Sequence, residues 1–429
     1  MTVLASTALV AVPALAWGAG VSPASVDDAA DPGDTLNVVK TITTPEIPPK
    51  PDIVLVVDST GSMGDAIANV KAEMASIIST VQGAQPTAEF AVVSYRDEGD
   101  GAELFRVRTD LTGIPSDATT AINGISAGGG GDIPEAQLNA LWQIGDGGAA
   151  ITFRPGSSRI VVWFGDAPGH DPSNGHSEAA ATTSLQTAGA QVLAVSVGAN
   201  QLNATGQAAR IAAATGGTFV PGIPTGGVGA AILAGLQNLP AEVTANVVCD
   251  DGLSITFEQE LPQTVPSGED VVLDEIITVA GDAAQGETLS CTVTFLINGA
   301  EAGPDFVQTV SIDVNDVTDP IVACGPGVNP DGKPVPGYQN AGFYQLAADD
   351  NVGPVSVTVT DTGSSASFGP YAPGTYIKLT QAPGATPSAV PFSGAVDWHI
   401  TLKGDAVVTA TDAAGNTATA TCSVPPKKK

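Results

Sequence analysis

Two runs of consecutive apolar residues, Ile53-Val54-Leu55-Val56-Val57 and Ile160-Val161-Val162-Trp163-Phe164, most constrain what this chain can fold into. Successive side chains of a strand point to opposite sides, so a strand that is apolar at every position must be covered on both faces. Such strands belong in the middle of a mainly parallel sheet with helices packed on each side. Residues 51–240 continue the theme by alternating strand and helix periodicities. Strands are predicted at 52–57, 88–95, 104–109, 159–165, 191–197 and 218–220, and helices at 65–81, 134–144, 177–188, 207–214 and 228–239. Ile67, Val70, Met74, Ile78 and Val81 recur at helical spacing and mark the buried face of the first helix. The expected fold class of this region is α/β, a doubly wound, mainly parallel sheet. In such sheets ligands sit beyond the carboxyl ends of the strands, where Asp58 and Asp166 lie.

After Pro240 the helical period disappears, and short alternating runs separated by turn residues take over. Two small antiparallel β-sandwich domains are expected, at 241–317 and 318–425. Cys249 and Cys291 fall in the first of these and Cys324 and Cys422 in the second. Four cysteines allow three pairings; pairing within each domain is the simplest. Residues 1–24 read as a secretory signal, with an apolar stretch ending at Ala14-Leu15-Ala16 but no basic start. Residues 25–50, rich in Asp, Pro and Thr, read as a linker, and 426–429 as a short tail. No later apolar run is long enough to span a membrane. A net charge of −30 argues against nucleic-acid and anionic-membrane partners and favours cations. Disulfides and a leader together predict a secreted, extracellular or cell-surface protein.

Three loops at strand ends carry the chemistry. Asp58-Ser59-Thr60-Gly61-Ser62 places a carboxylate and two hydroxyls on one turn, an oxygen set suited to a hard divalent cation. Gly128-Gly129-Gly130-Gly131-Asp132-Ile133-Pro134-Glu135 precedes a predicted helix, and Gly165-Asp166-Ala167-Pro168-Gly169-His170 follows the second apolar strand. Each loop also has a plainer reading. Ser62-x-x-Asp65 and Asp132-x-x-Glu135 both fit helix capping boxes, and Asp166 before Ala167-Pro168 can simply start a turn. Asp58 resists such a reading, because an acid closing a buried strand is costly unless it is paired. Asp97, Glu98, Asp100 and Glu103 form an acidic hairpin that reads as a solvated turn or an accessory calcium site.

The turn at residues 58–62 resembles the DxSxS signature of von Willebrand factor type A (vWA) domains, and the other two loops follow in that family's chain order. The second loop departs from the commoner pattern by carrying Asp132 where a Thr is usual, and resembles a subset with a GGGDxPE loop. The resemblance implies a metal ion-dependent adhesion site (MIDAS) holding Mg²⁺ or Ca²⁺, with Mn²⁺ also compatible, through Asp58, Thr60, Ser62, Asp132 and Asp166, with Glu135 as an accessory. With three ionised carboxylates against one divalent ion the site would carry a formal charge of about −1. The last segment, with Asp319-Pro320, Asp412-Ala413-Ala414-Gly415-Asn416 and its bracketing cysteines, is similar to HYR and Ig-like modules. Asp313, Asp316 and Asp319 at the junction resemble the calcium linkers of cadherin-like arrays, with a spacing that differs by a residue.

The function these features imply is adhesion or protein binding, in which a protein or other extracellular ligand is captured at the metal site. A structural matrix role, with a metal that only stabilises, is the alternative. A metal-dependent hydrolase built from Asp166, His170 and His176 is a weaker one, because no nucleophile with an oriented base is evident. The protein is not expected to be an enzyme.

Overall fold

The computed structural model describes residues 18–335, 337 and 341–425. Most of the predicted signal and the whole predicted tail lie outside the described residues. Two expectations fail where the described chain begins. Residues 25–50 are not a linker, and the predicted leader boundary at residue 24 cuts through ordered structure. Three strands form here, β1 (Gly20–Ser22), β2 (Ser25–Ala30) and β3 (Thr35–Thr43). Leu36, Val38, Lys40 and Ile42 alternate toward the interior along β3. Lys40 occupies an apolar slot in that alternation, which hides the period of two from sequence inspection.

The chain then enters a six-stranded sheet of order β6-β5-β4-β7-β8-β9. Its strands are β4 (Pro51–Asp58), β5 (Glu89–Tyr95), β6 (Phe105–Thr112), β7 (Ser158–Gly165), β8 (Ala190–Val197) and β9 (Thr218–Ile223). Only β6 runs antiparallel to its neighbour. Helices α1 (Gly64–Ala84), α2 (Pro115–Asn123), α3 (Gln137–Ile144), α4 (Glu178–Thr187), α5 (Gln207–Ala214) and α6 (Val228–Leu236) cover both faces. Ile53, Leu55 and Val57 join the core under α1 and α6, whereas Val54 and Val56 join the core under α3, α4 and α5. This is the double burial that the consecutive apolar runs require, and each such side chain contributes about 1.5–3 kcal/mol by leaving water. Helix α2 was not predicted. Its apolar face is only Ala118, Ala121 and Ile122, too weak a pattern to stand out.

From Pro240 the chain rejoins the N-terminal strands. It forms β10 (Pro240–Cys249), β11 (Leu253–Phe257), β12 (Gln263–Pro266), β13 (Asp270–Val279), β14 (Thr288–Ile297), β15 (Ala300–Glu301) and β16 (Val307–Val314). One sheet has the order β1-β3-β13-β11, and the other β12-β10-β14-β16-β2 with β15 on β14. β3 pairs along nine residues of β13, from Thr43 opposite Asp270 to Thr35 opposite Thr278. The parallel-sheet head is therefore inserted between the N-terminal strands and the remainder of a single sandwich. Cys249 and Cys291 face each other on neighbouring strands β10 and β14 and form a disulfide.

The last sandwich packs a five-stranded sheet, starting with Ile321–Pro326, against a four-stranded sheet ending with Thr417–Cys422. The Cys324–Cys422 disulfide joins these two sheets. Both cysteine pairs thus follow the within-domain pairing. Asp361, fully buried, ties two turns together by accepting from the Ser364 hydroxyl at 2.5 Å and from the backbone N–H groups of Gly363, Lys403 and Gly404 at 2.8–3.0 Å. Burial alone would raise this carboxyl, but those donors outweigh it and hold it at about 2. Its stabilising contribution is complete above the unfolded value near pH 4 and is lost as pH falls through about 2. Asp361→Ala, which strands three N–H groups, should cost about 3–5 kcal/mol; a denaturant midpoint for this sandwich that does not move would contradict that role. Among the described residues, no helix is long and apolar enough to cross a membrane.

Candidate metal centre

β4 lies between β5 and β7, so the sheet's switch point falls where β4 and β7 end side by side. Asp58 is the last residue of β4, and Asp166 directly follows β7. Asp58 Oδ1 accepts from the Thr60 N–H at 2.9 Å and the Thr60 hydroxyl at 2.7 Å. Thr60 Oγ1 lies 3.5 Å from Ser62 Oγ, which donates to Asp166 Oδ1 at 2.9 Å. Four of the predicted ligands are thereby linked in one chain. Neither helix that follows a site loop is capped as the plainer readings expect. Met63 and Ala136 occupy the N-cap positions of α1 and α3 without side-chain hydrogen bonds.

Gly165 makes room for this arrangement. A Cβ there would sit 2.9 Å from the Tyr95 hydroxyl and 3.0 Å from Asp58 Oδ2. Asp58 is fully buried, and its Oδ2 has no hydrogen-bond partner. Burial pushes its carboxyl up to about 7, against the pull of the Thr60 donors and with a further push from Asp166.

The second loop holds a correction. Asp132 does not join the chain of Asp58, Thr60, Ser62 and Asp166. Its side chain is 64% exposed, lies 3.5 Å from His170 Nε2, and clusters with Asp97 and His170. The reason is how the Gly-rich segment folds. Gly129 and Gly130 take positive φ, and the N–H groups of Gly130 and Gly131 donate to Asp100 and Asp97 at 2.9 and 3.2 Å. The acidic hairpin is therefore neither a bare solvated turn nor remote; it fastens this loop. Burial would raise the Asp97 carboxyl, but the N–H groups of Glu98 and Gly131 and the His170 ring outweigh it and hold it below the usual range.

Glu135, expected only as an accessory, is the residue that turns inward. It pairs with Gly169 in a parallel bridge, donating its N–H to Pro168 O at 2.8 Å and accepting from the His170 N–H at 3.0 Å. Its side chain is buried beside Gly130 and Thr60, and Oε2 has no partner. Burial, then the nearby charges of Asp58, Asp97, Asp100 and Asp166, push its carboxyl up to about 8. No local signal marks it: Pro134 suits the first turn of a helix, whereas α3 begins only at Gln137 and leaves Glu135 in the loop. Of the two loop histidines, His170 engages Asp97 at 3.1 Å, while His176 stacks on Trp142 with ring centroids 3.8 Å apart.

The residues fit a hard cation. Every donor is oxygen, and two buried carboxylate oxygens, Asp58 Oδ2 and Glu135 Oε2, lack any protein donor. The match to a family model agrees with the fold. Residues 52–220 match the family model of the von Willebrand factor A domain. A curated relative, a protein of Acanthamoeba polyphaga mimivirus described as ariadne-like with a RING finger, is 31% identical over 123 residues. That match takes in 29% of this chain and only 12% of the relative. Among solved structures, a von Willebrand factor type A protein from Catenulispora acidiphila is 16% identical, covering 70% of this chain and 75% of its own, with a TM-score of 0.36. Proximal thread matrix protein 1 of the mussel byssus is 17% identical over 47% of each chain, with a TM-score of 0.35. In this sheet, the third carboxylate beside the first and third loops is that of Glu135.

Proposed function

We propose that this is an extracellular or surface-held binding protein whose A domain captures a partner through a divalent cation at the carboxyl end of its sheet. The observation that carries the reading is the hydrogen-bonded chain of Asp58, Thr60, Ser62 and Asp166 beside the unpartnered oxygens of Asp58 and Glu135. Asp58, Thr60 and Ser62 would hold Mg²⁺, Ca²⁺ or Mn²⁺ from the first loop, Glu135 from the second and Asp166 from the third. When bound, the ion supplies a positive centre for an oxygen atom of the partner. Three ionised carboxylates against two positive charges leave the site near −1. That balance disfavours a partner carboxylate and favours neutral oxygens, such as carbonyl or hydroxyl groups of a protein or other extracellular ligand. Two disulfides fit an oxidising compartment. The role is binding rather than turnover, since the two loop histidines are engaged with different partners.

The test is capture from the protein's native surroundings by the immobilised full chain, in Mg²⁺ and in chelator. Captured material should fall at least about tenfold in chelator and equally with Asp58→Ala, as expected when a buried charge pair in a binding site is broken. Equal capture in both conditions overturns the reading. Clear metal stabilisation with no capture at all would assign the ion a purely structural role.

A further inference from the structure

We propose that Asp316, Asp350 and Asp412 form a second cation site, specific for a hard divalent ion such as Ca²⁺, that pins the last sandwich to the one before it. Asp316 lies in the connection after β16, whereas Asp350 and Asp412 lie in two loops of the last sandwich. One carboxylate oxygen from each lies within 4.8 Å of the others. Ligands at 2.3–2.6 Å from a shared Ca²⁺ are at most about 5 Å apart, so this spacing fits one ion.

The hydrogen bonding gives the independent indication. Each carboxylate is fixed through one oxygen. Asp316 Oδ1 accepts from Thr318 N at 3.1 Å, Asp350 Oδ2 from Val352 N at 2.8 Å, and Asp412 Oδ1 from Gly415 N and Asn416 N at 2.7 and 2.9 Å. The second oxygen of each, Asp316 Oδ2, Asp350 Oδ1 and Asp412 Oδ2, is buried and has no partner. Asp412 is only 7% exposed, so water offers its free oxygen little compensation. No ion pair with Lys, Arg or His involves any of the three among the described residues. Three carboxylates oriented by their own loops, each with a buried oxygen left free, repel one another unless a cation sits among them.

The surroundings make the site a clamp. Asn416 Nδ2 donates to the Asp316 carbonyl at 3.0 Å, and Gln285 Oε1 accepts from Val317 N at 3.0 Å and from the Thr318 hydroxyl at 2.9 Å. The loops of the two sandwiches meet where a Cβ on Gly286 would collide with Val352. The junction residues Asp313 and Asp319 do not contribute. Asp313 accepts from the Thr288 hydroxyl at 2.6 Å, and Asp319 is outside the cluster. Only one of the three junction aspartates is used, and its companions come from the Asp350-Asn351 and Asp412–Asn416 turns.

The site is independent of the A-domain centre, so it is tested in full-length protein carrying Asp58→Ala. Calorimetric titration with Ca²⁺ should show an ion bound with a dissociation constant on the order of 10⁻⁴–10⁻³ M, as in extracellular modules. Adding Asp350→Asn and Asp412→Asn should lower the number of ions bound by one. Unchanged binding overturns the proposal. Should the combined variant fail to fold, Asp350→Asn alone serves with a second readout, protease cleavage within residues 315–320. Ca²⁺ should slow that cleavage at least about tenfold in the Asp58→Ala protein and have no effect once Asp350 is replaced; equal protection in both overturns the clamp.

Discussion

Mg²⁺ should raise the melting temperature of the parallel-sheet domain by roughly 5–10 °C, and Asp58→Ala should erase that rise. An ion at a hundred times its dissociation constant adds about 2.7 kcal/mol, and each kcal/mol moves the midpoint of a domain this size by about 2–4 °C. The ion-free protein should respond to pH in a diagnostic way. Burial raises Asp58 to about 7, and burial with four neighbouring carboxylates raises Glu135 to about 8, whereas both titrate near 4 in an unfolded chain. Folded values above unfolded ones mean that the native state holds extra protons. The contribution of these two groups to stability is therefore complete below about pH 4 and is lost as pH rises through 7 to 8. The loss accumulates at up to about 1.4 kcal/mol for each group and each pH unit between those limits. An incoming cation must displace those protons, so its stabilising effect should be small near pH 5 and full near pH 8. Asp58→Ala removes one buried charge and should flatten the ion-free profile as well. Scanning calorimetry of both proteins, with Mg²⁺ or chelator across this range, decides the matter; a Mg²⁺ response that survives in the variant would sink the centre.

Lys40→Ala should destabilise the first sandwich by about 3–5 kcal/mol, a large effect for a residue in a segment that reads as a linker. Lys40 on β3 and Glu275 on β13 are both fully buried and lie 3.3 Å apart. Lys40 Nζ also donates to Pro23 O at 2.9 Å, and Glu275 accepts from Gln308 Nε2 at 3.0 Å. The pair thus joins β3, the β1–β2 connection, β13 and β16. Burial pushes Lys40 down and Glu275 up, in each case against the attraction of the partner. Desolvation therefore outweighs the pairing, and what makes Lys40→Ala costly is the buried charge of Glu275 left behind. Lys40→Met combined with Glu275→Leu should be close to neutral, because well-packed apolar replacements remove both desolvation costs. Urea denaturation of the three proteins measures this. A loss below about 1 kcal/mol in Lys40→Ala would mean that the N-terminal strands are not integral to the sandwich.

Much of the architecture was legible because it depends on local pattern. Residues 53–57 and 160–164 are apolar on both faces, and only a covered parallel strand accommodates that. Asp58 at the end of such a strand flagged the site, since an acid there is costly without a partner. Both cysteine pairs followed the order of the β segments. Of the elements that escaped, α2 has too few apolar residues to stand out, and β3 has its pattern broken by a long-range partner. β3 conceals its alternation behind Lys40, which is intelligible only once Glu275, 235 positions later in the chain, is beside it.

The site divides along the same line. Which residue types stand at the ends of β4 and β7 could be read directly from the order of residues, because strand ends follow from local periodicity. Which carboxylate of the second loop turns inward depends on contacts with distant segments. Asp97 and Asp100 capture the backbone of Gly130 and Gly131, the bridge between Glu135 and Gly169 sets the phase of the loop, and together they exchange Asp132 for Glu135. Likewise, nothing local announces that Asp316 should meet Asp350 and Asp412, because the three lie in segments far apart in the chain. Side-chain direction in a loop is governed by hydrogen bonds to distant segments, and such bonds leave no periodic trace in the order of residues.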